Sequence, residues 1–241
     1  MSVNVSPRVL AMAGLVVCTL AWAGNALIAR ATAGFLPPVG LSFWRWTTAL
    51  LLLLPFTARG LWQHRVELQA HWKQILVLAA LSISTYNTLL YLAAQSTTAI
   101  NITLVNTGLP VAAFLWSVVL LRQWPTRGTL IGTLLSFCGL LLILTAGDPA
   151  RLSALSFNPG DLIMLVAVLA WGLYSVLLRR WPLPVPGLTL LAAMLLAGVP
   201  LLLPFYLWEF GQTGSLPLTP HSLGAIAYTA VLASLMAYLA W

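Results

Sequence analysis

The chain of 241 residues is 61% hydrophobic and only 6% charged, with a mean hydropathy of +0.96. It has too little polar surface for a water-soluble fold, which excludes a soluble enzyme or binding domain. The formal net charge of +7 comes from basic residues that flank apolar segments. Membrane topology explains this pattern without a nucleic-acid partner. The sequence therefore indicates an integral membrane protein.

The apolar segments are long enough for helices to cross roughly 30 Å of hydrocarbon, and they lack the alternation of barrel strands. The loops between them are too short to fold alone. The predicted fold class is therefore an all-α integral membrane protein, a bundle of helices. In chain order the sequence predicts eight membrane helices, at residues 9–32, 39–58, 72–95, 97–121, 128–146, 161–178, 187–208 and 221–241.

Basic residues are distributed unevenly over the two sides of this arrangement. Eight of the eleven Lys and Arg residues fall on one side, and Arg30, Arg45 and Arg151 fall on the other. Because loops rich in Lys and Arg stay in the cytoplasm, the sequence predicts a cytoplasmic N-terminus. The residues assigned to the cytoplasmic side are Arg8, Arg59, Arg65, Lys73, Arg122, Arg127, Arg179 and Arg180.

An internal repeat relates the two halves of the chain. Residues 20–22 (Leu-Ala-Trp) recur at 169–171, and residues 52–56 (Leu-Leu-Leu-Pro-Phe) recur at 201–205, both 149 positions later. Tyr91 recurs as Tyr238, 147 positions later. Five helices separate the two starts, so the units have opposite orientations. We assign residues 1–149 to a five-helix repeat and 150–241 to a second, inverted repeat, and expect two further helices in a ten-helix parent protein.

The sequence resembles a known family at three places: Leu-Ala-Trp-Ala-Gly-Asn at 20–25, Leu-Ala-Trp-Gly at 169–172, and an arginine in the second helix. These features are similar to the drug/metabolite transporter (DMT) superfamily, in particular its EamA-type ten-helix transporters. The aromatic central helices are most similar to bacterial exporters of aromatic amino acids. The resemblance implies a 5+5 inverted-repeat bundle in a bacterial inner membrane. Gln123, where the family often has Glu, and Met194, the repeat equivalent of Arg45, depart from the pattern.

Aromatic and polar residues at the middle of the predicted helices form the candidate substrate site. Polar side chains are costly at this depth unless they face protein or a water-filled cavity. Asn, Tyr, Ser and Trp offer donors, acceptors and an aromatic wall for a net-neutral amino acid. The alternative is that these residues only pack helices or hydrogen-bond between them. The predicted substrate-binding residues are Trp22, Asn25, Tyr86, Asn87, Tyr91, Trp171, Tyr174 and Ser175.

Prolines within predicted helices are candidate gating positions. Pro110 removes a backbone hydrogen bond from the fourth helix, and Pro200 and Pro204 do the same in the seventh. Each either provides a hinge or only shapes its helix. Arg45 lies between two tryptophans near the outer end of the second helix. We interpret it as a snorkelling side chain held by belt tryptophans, with recruitment of a substrate carboxylate as the alternative.

The prediction is an inner-membrane exporter of aromatic and other neutral amino acids that works by alternating access and is not an enzyme. No Asp or Glu falls at mid-depth in a predicted span, which favours facilitated efflux over proton coupling. No cofactor or metal is expected, and the partners are the substrate and the lipid bilayer. Export of drugs or other hydrophobic metabolites is the alternative, followed by a non-transporting membrane subunit. The sequence leaves open which solutes are carried and whether the protein is a monomer or a homodimer.

Overall fold

The computed structural model describes residues 7–145, 147–148 and 158–240, and all regular structure in those ranges is helical. We number the helices in chain order. They are α1 (Pro7–Ala31), α2 (Pro38–Gln63), the short α3 (Arg65–Ala70), α4 (Trp72–Ser96), α5 (Ala99–Asn106 and Leu109–Leu121), α6 (Arg127–Thr145), α7 (Pro159–Arg180), α8 (Gly187–Thr213) and α9 (Pro220–Ala230, Val231–Met236 and Ala237–Ala240).

A helix forms at each of the eight predicted positions, which confirms the all-α membrane bundle. Six of these helices, namely α1, α2, α4, α5, α7 and α8, are long and apolar enough to cross a membrane. In α9 the apolar stretch Pro220–Met236 is shorter. Arg151 and the predicted span ends at residues 146 and 241 lie outside the described residues.

Two helix ends lie five residues beyond their predicted positions, whereas the other described ends differ by no more than two. α2 continues to Gln63 rather than residue 58, and α8 continues to Thr213 rather than residue 208. In both helices the additional turn carries polar residues past the apolar stretch, so hydropathy ends before the backbone hydrogen bonding does. The predicted loop after α2 contains the short helix α3.

α2 and α8 pack against each other in antiparallel orientation. The Glu209 carboxylate, near the end of α8, accepts hydrogen bonds from Val39 N (3.1 Å) and Gly40 N (2.6 Å) at the start of α2. At the other end of the pair, a Cβ added to Gly60 would lie 2.5 Å from Thr189 Oγ1. The absence of a side chain at Gly60 therefore permits the close approach of α8.

A buried cluster joins this helix pair to α4 and α7. It includes Trp46 of α2, Leu78 of α4, Trp171 of α7 and Leu195 of α8. Close contact depends again on glycine, because a Cβ on Gly198 would lie 2.7 Å from the Ile83 side chain. The four helices thus surround the middle of the bundle, where most of the predicted site residues fall.

α4 and α9 each contain a segment of wide π-helical turn, at Ala80–Tyr86 and Val231–Met236. At each segment a polar side chain bonds the carbonyl five residues before it. Asn87 Nδ2 donates to Ser82 O (3.1 Å), and Ser234 Oγ donates to Thr229 O (2.8 Å). The two pairs are 147 positions apart, like the tyrosines of the sequence repeat. Such turns are common at functional sites because they redirect side chains and free backbone carbonyls.

The predicted gating prolines occupy two different kinds of position in their helices. Pro110 is in the first turn of the second part of α5, after a turn at Thr107 and Gly108 that divides the span. Pro200 and Pro204 lie inside α8, which continues as one helix through both. A role in gating stays a prediction for all three.

Candidate substrate-binding site

Arg45 is the centre of the candidate site. It lies in the second turn of α2 and is only 1% exposed. Its Nε donates to Ser234 Oγ of α9 at 2.7 Å, and its Nη2 donates to the carbonyl oxygen of Ala233 at 3.1 Å. The guanidinium carbon also lies 4.5 Å from the centre of the Trp46 ring. The interpretation of Arg45 as a snorkelling residue is therefore wrong: the side chain turns into the bundle, where α4 and α9 supply acceptors.

Three predicted site residues surround Nη1 of Arg45. This nitrogen lies 2.6 Å from Asn87 Oδ1, 2.8 Å from Tyr91 Oη and 3.1 Å from Asn25 Oδ1. Tyr91 Oη in turn donates to Asn25 Oδ1 at 2.8 Å. All of these side chains are buried. The structure thus brings together residues from α1, α2 and α4 as one polar centre around a cation.

Aromatic rings form the opposite side of the site, with Trp171 of α7 in the middle. Its ring centre is 4.7 Å from that of Tyr86, 5.1 Å from Tyr174 and 5.7 Å from Trp22. Tyr238 of α9 lies 6.0 Å away in an edge-on arrangement. These are favourable distances for aromatic pairs. The two repeat-related tryptophans therefore meet at the centre of the bundle.

Hydrogen bonds orient the outer members of this wall. Trp22 Nε1 donates to the carbonyl oxygen of Ala233 at 3.2 Å, the same oxygen that accepts from Arg45. Tyr86 Oη donates to Asn106 Oδ1 of α5 at 3.0 Å. The wide turn of α9 therefore connects the aromatic wall to the polar centre through one carbonyl group.

A cavity of about 50 Å³ lies between the polar centre and the aromatic wall. Sites for drug-sized ligands measure about 300–1,000 Å³, whereas one water occupies about 30 Å³ of liquid. The central cavity therefore has space only for water-sized molecules. It is lined by Trp22, Asn25, Arg45, Tyr86, Asn87, Leu90, Asn106, Leu109, Trp171 and Tyr238.

Of the eight predicted substrate-binding residues, Trp22, Asn25, Tyr86, Asn87 and Trp171 line this cavity, and Tyr91 contacts Arg45 behind it. Tyr174 packs on Trp171 and lines a neighbouring cavity of about 340 Å³. Ser175 is outside the lining and donates to the carbonyl oxygen of Trp171 on its own helix at 2.9 Å.

Sequence reasoning left four contributors out of the predicted set: Arg45, Asn106, Ser234 and Tyr238. The repeat carries a signal for two of them, because Ser234 is 147 positions after Asn87 and Tyr238 is 147 positions after Tyr91. For Asn106 the signal is its polarity within an apolar span. Arg45 had no local signal of burial, since its acceptors come from distant helices.

A bundle of membrane helices around a small central cavity of aromatic and polar side chains is the arrangement expected of a membrane carrier. Comparison with known proteins agrees with this class. The chain belongs to the EamA-like transporter family, whose model matches residues 9–145 and 158–241. It is a transporter and not an enzyme.

Two curated relatives are similar over most of the chain. One is an uncharacterized transporter of Archaeoglobus fulgidus, 30% identical over 229 residues, which covers 94% of this chain and 77% of that protein. Another is the uncharacterized transporter YyaM of Bacillus subtilis, 28% identical over 218 residues, which covers 89% of this chain and 70% of the relative. Both names specify transport and neither specifies a substrate, so the substrate must be argued from the site.

Proposed function

We propose that the protein exports amino acids, aromatic and other neutral ones, across a bacterial inner membrane, with its N-terminus in the cytoplasm. The observation that carries this proposal is the division of the central cavity into a polar and an aromatic side. Arg45, Asn25 and Asn87 offer donors and acceptors for the backbone groups of an amino acid. Trp171 and Trp22 offer a surface for its side chain.

Alternating access is the mechanism that the small volume of the cavity favours. A volume of about 50 Å³ does not admit an amino acid, so the helices around it must separate to admit or release one. Movement of one half of the inverted repeat against the other would open the cavity to each side in turn. In this proposal residues 1–149 and 150–241 are the two halves.

Facilitated efflux is the proposed energetics. The residues that line the central cavity include no Asp or Glu within the described part of the chain. A carboxylate is the usual membrane-embedded group for proton coupling. We therefore expect the solute gradient to drive transport.

Uptake by sealed proteoliposomes tests the proposal. The full-length protein is reconstituted, and labelled tryptophan, phenylalanine and threonine are followed with and without a pH gradient. We expect saturable uptake that the gradient does not drive. Trp171→Ala removes the ring at the centre of the aromatic wall and should lower uptake at least tenfold.

Trp124→Ala is the matched control, because Trp124 lies in the connection between α5 and α6 and is 80% exposed. It should transport like the parent protein. Absence of uptake for all three amino acids would remove the assignment. Equal loss in both tryptophan variants would mean that the assay reports folding rather than the site.

Export of drugs or other hydrophobic metabolites is a second candidate, which one observation favours. A cavity of about 410 Å³ beside Trp22 is lined mainly by apolar side chains of α1 and α5. For such substrates, apolar replacement of Asn25 and Asn87 should leave transport intact. A membrane subunit that does not transport would show no change with Trp171→Ala in any uptake assay.

A further inference from the structure

We propose that Arg45 binds the carboxylate of an organic monoanion, so that the site prefers an aromatic monocarboxylate to the amino acid with the same side chain. The proposal rests on the transport site described above and assigns it a substrate class that differs from amino acids in lacking the ammonium group. It begins from the charge of the polar centre. The guanidinium is buried, yet every hydrogen-bond partner that the described residues provide for it is neutral.

The acidic residues of the chain are placed elsewhere. Glu209 accepts hydrogen bonds from backbone N–H groups at the start of α2. Asp161, at the start of α7, accepts from Asn101 Nδ2 at 3.0 Å and from Thr97 Oγ1. Glu67 lies in the short helix α3, and Asp148 lies beyond the end of α6. The centre around Arg45 therefore carries a net positive charge from the residues that form it.

This net charge discriminates between solutes. A buried charge without a counter-charge is costly in a medium of low dielectric constant. An amino-acid zwitterion adds no net charge and leaves the centre positive, whereas a monocarboxylate neutralises it. The cavity lining within the described ranges contains no carboxylate for a substrate ammonium group. The ammonium therefore has only neutral acceptors and ring faces as partners.

The geometry of Arg45 leaves room for a carboxylate. Nη1 has two N–H groups for three acceptors, and its contact with Asn25 Oδ1, at 3.1 Å, is the longest of the three. Nη2 has two N–H groups and one acceptor, the carbonyl oxygen of Ala233. Arginine binds carboxylates through paired N–H groups. A carboxylate that entered the cavity would take the unused N–H of Nη2 and replace Asn25 on Nη1.

The repeat supplies the apolar end of the same substrate. Met194 is the equivalent of Arg45, and Tyr174 is the equivalent of Asn25, each 149 positions later. Both line the neighbouring cavity of about 340 Å³, and Tyr238 lines both cavities. When the helices separate, a solute with its carboxylate on Arg45 can place a ring against Trp171 and Tyr238, toward this apolar cavity.

Binding of four ligands with one ring in common tests the proposal. They are 3-phenylpropionate (anion), phenylalanine (zwitterion), phenethylamine (cation) and 3-phenylpropanol (uncharged). Affinities are measured by calorimetry on the full-length protein in detergent, which avoids leakage of the protonated acid across liposomes. We expect 3-phenylpropionate to bind at least tenfold more tightly than phenylalanine, and phenethylamine to bind least. Equal affinities for the anion and the zwitterion would overturn the proposal.

Two variants isolate the charge of Arg45. Arg45→Met copies the repeat-equivalent residue and should abolish the preference for 3-phenylpropionate over 3-phenylpropanol. Arg59→Met is the matched control, because Arg59 is an exposed arginine of the same helix as Arg45 and lies outside the cavity lining; it should bind all four ligands like the parent. Unchanged anion preference in Arg45→Met would contradict the proposal. If that variant fails to fold, the four affinities of the parent protein decide alone.

The outcomes separate this proposal from the amino-acid assignment. Transport of phenylalanine without tighter binding of 3-phenylpropionate would preserve the exporter function and reject the monocarboxylate preference. Tight binding of 3-phenylpropionate without amino-acid uptake would support the monocarboxylate site and reject the amino-acid assignment. Binding of none of the four ligands would reject the monocarboxylate site.

Discussion

The surroundings of Arg45 and Met194 show how two equivalent positions of the repeat have taken opposite chemical characters. Both side chains are buried, Arg45 on α2 and Met194 on α8. The first contacts Asn25 and Tyr91, whereas the second lines an apolar cavity with Tyr174. At these two positions the helices repeat, but the polar groups do not. Positions that are equivalent in the sequence repeat therefore differ in chemistry, which makes the candidate site asymmetric.

In α4 and α9, by contrast, the polar contacts do repeat at equivalent positions of the sequence. The wide turns of α4 and α9 carry the same side-chain-to-carbonyl bond, from Asn87 in one half and from Ser234 in the other. Both side chains also accept a hydrogen bond from Arg45. One arginine is thus held by two side chains that are 147 positions apart, the spacing of the sequence repeat.

The largest expected effect comes from making the second half resemble the first. Met194→Arg would place a second cation in the core without an acid or amide on the equivalent of Asn25, and an uncompensated buried charge costs about 3–5 kcal/mol. We expect little monodisperse protein in size-exclusion chromatography. Met194→Leu conserves the side-chain volume and should cost less than about 1.5 kcal/mol. Equal yields of the two variants would show that the regions are interchangeable.

An intermediate effect is expected from the two acceptors at the wide turns. Asn87→Ala and Ser234→Ala each remove one hydrogen bond to the Arg45 cation, which contributes about 1.5–3 kcal/mol. We expect each to lower the melting temperature by roughly 2–4 °C per kcal/mol and to reduce transport roughly tenfold. Asn87→Ser introduces the residue type of the equivalent position, Ser234, and should lose less stability and transport than Asn87→Ala. A large loss in only one alanine variant would argue against shared support of Arg45.

The smallest effects on stability are expected from the two equivalent tyrosines, Tyr91 and Tyr238. Tyr91 Oη contacts both Arg45 and Asn25, whereas Tyr238 Oη is buried and has no hydrogen-bond partner among the described residues. Tyr91→Phe should destabilise by about 1–2 kcal/mol, measured by thermal unfolding in detergent. Tyr238→Phe removes an unsatisfied group and should change stability by less than about 0.5 kcal/mol. Equal destabilisation would indicate that Tyr238 Oη has a partner in solution.

Much of the fold could be predicted from sequence because hydropathy and helix length are local properties. The positions of Trp22 and Trp171 at the centre also followed from their depth and from the repeat. The burial of the Arg45 side chain could not be predicted from the sequence, since snorkelling and burial differ only in whether other helices provide hydrogen-bond acceptors. Those acceptors include Ser234, 189 positions away. The wide turns and the bond of Ser175 to its own helix likewise depend on details that periodicity does not encode.

The dispersed partners of Arg45 have a consequence for biogenesis. On insertion scales, an arginine costs about 2.5–3.5 kcal/mol at the centre of a membrane helix, which is an upper bound for Arg45 in the second turn of α2. When α2 leaves the ribosome, Asn25 is the one side-chain hydrogen-bond partner of Arg45 already made among the described residues, because Asn87, Tyr91 and Ser234 follow later in the chain. α2 therefore enters the bilayer with an incompletely bonded cation. The hydrogen-bond network closes only after α9 has been inserted, so one of the last helices made stabilises a cation of one of the first.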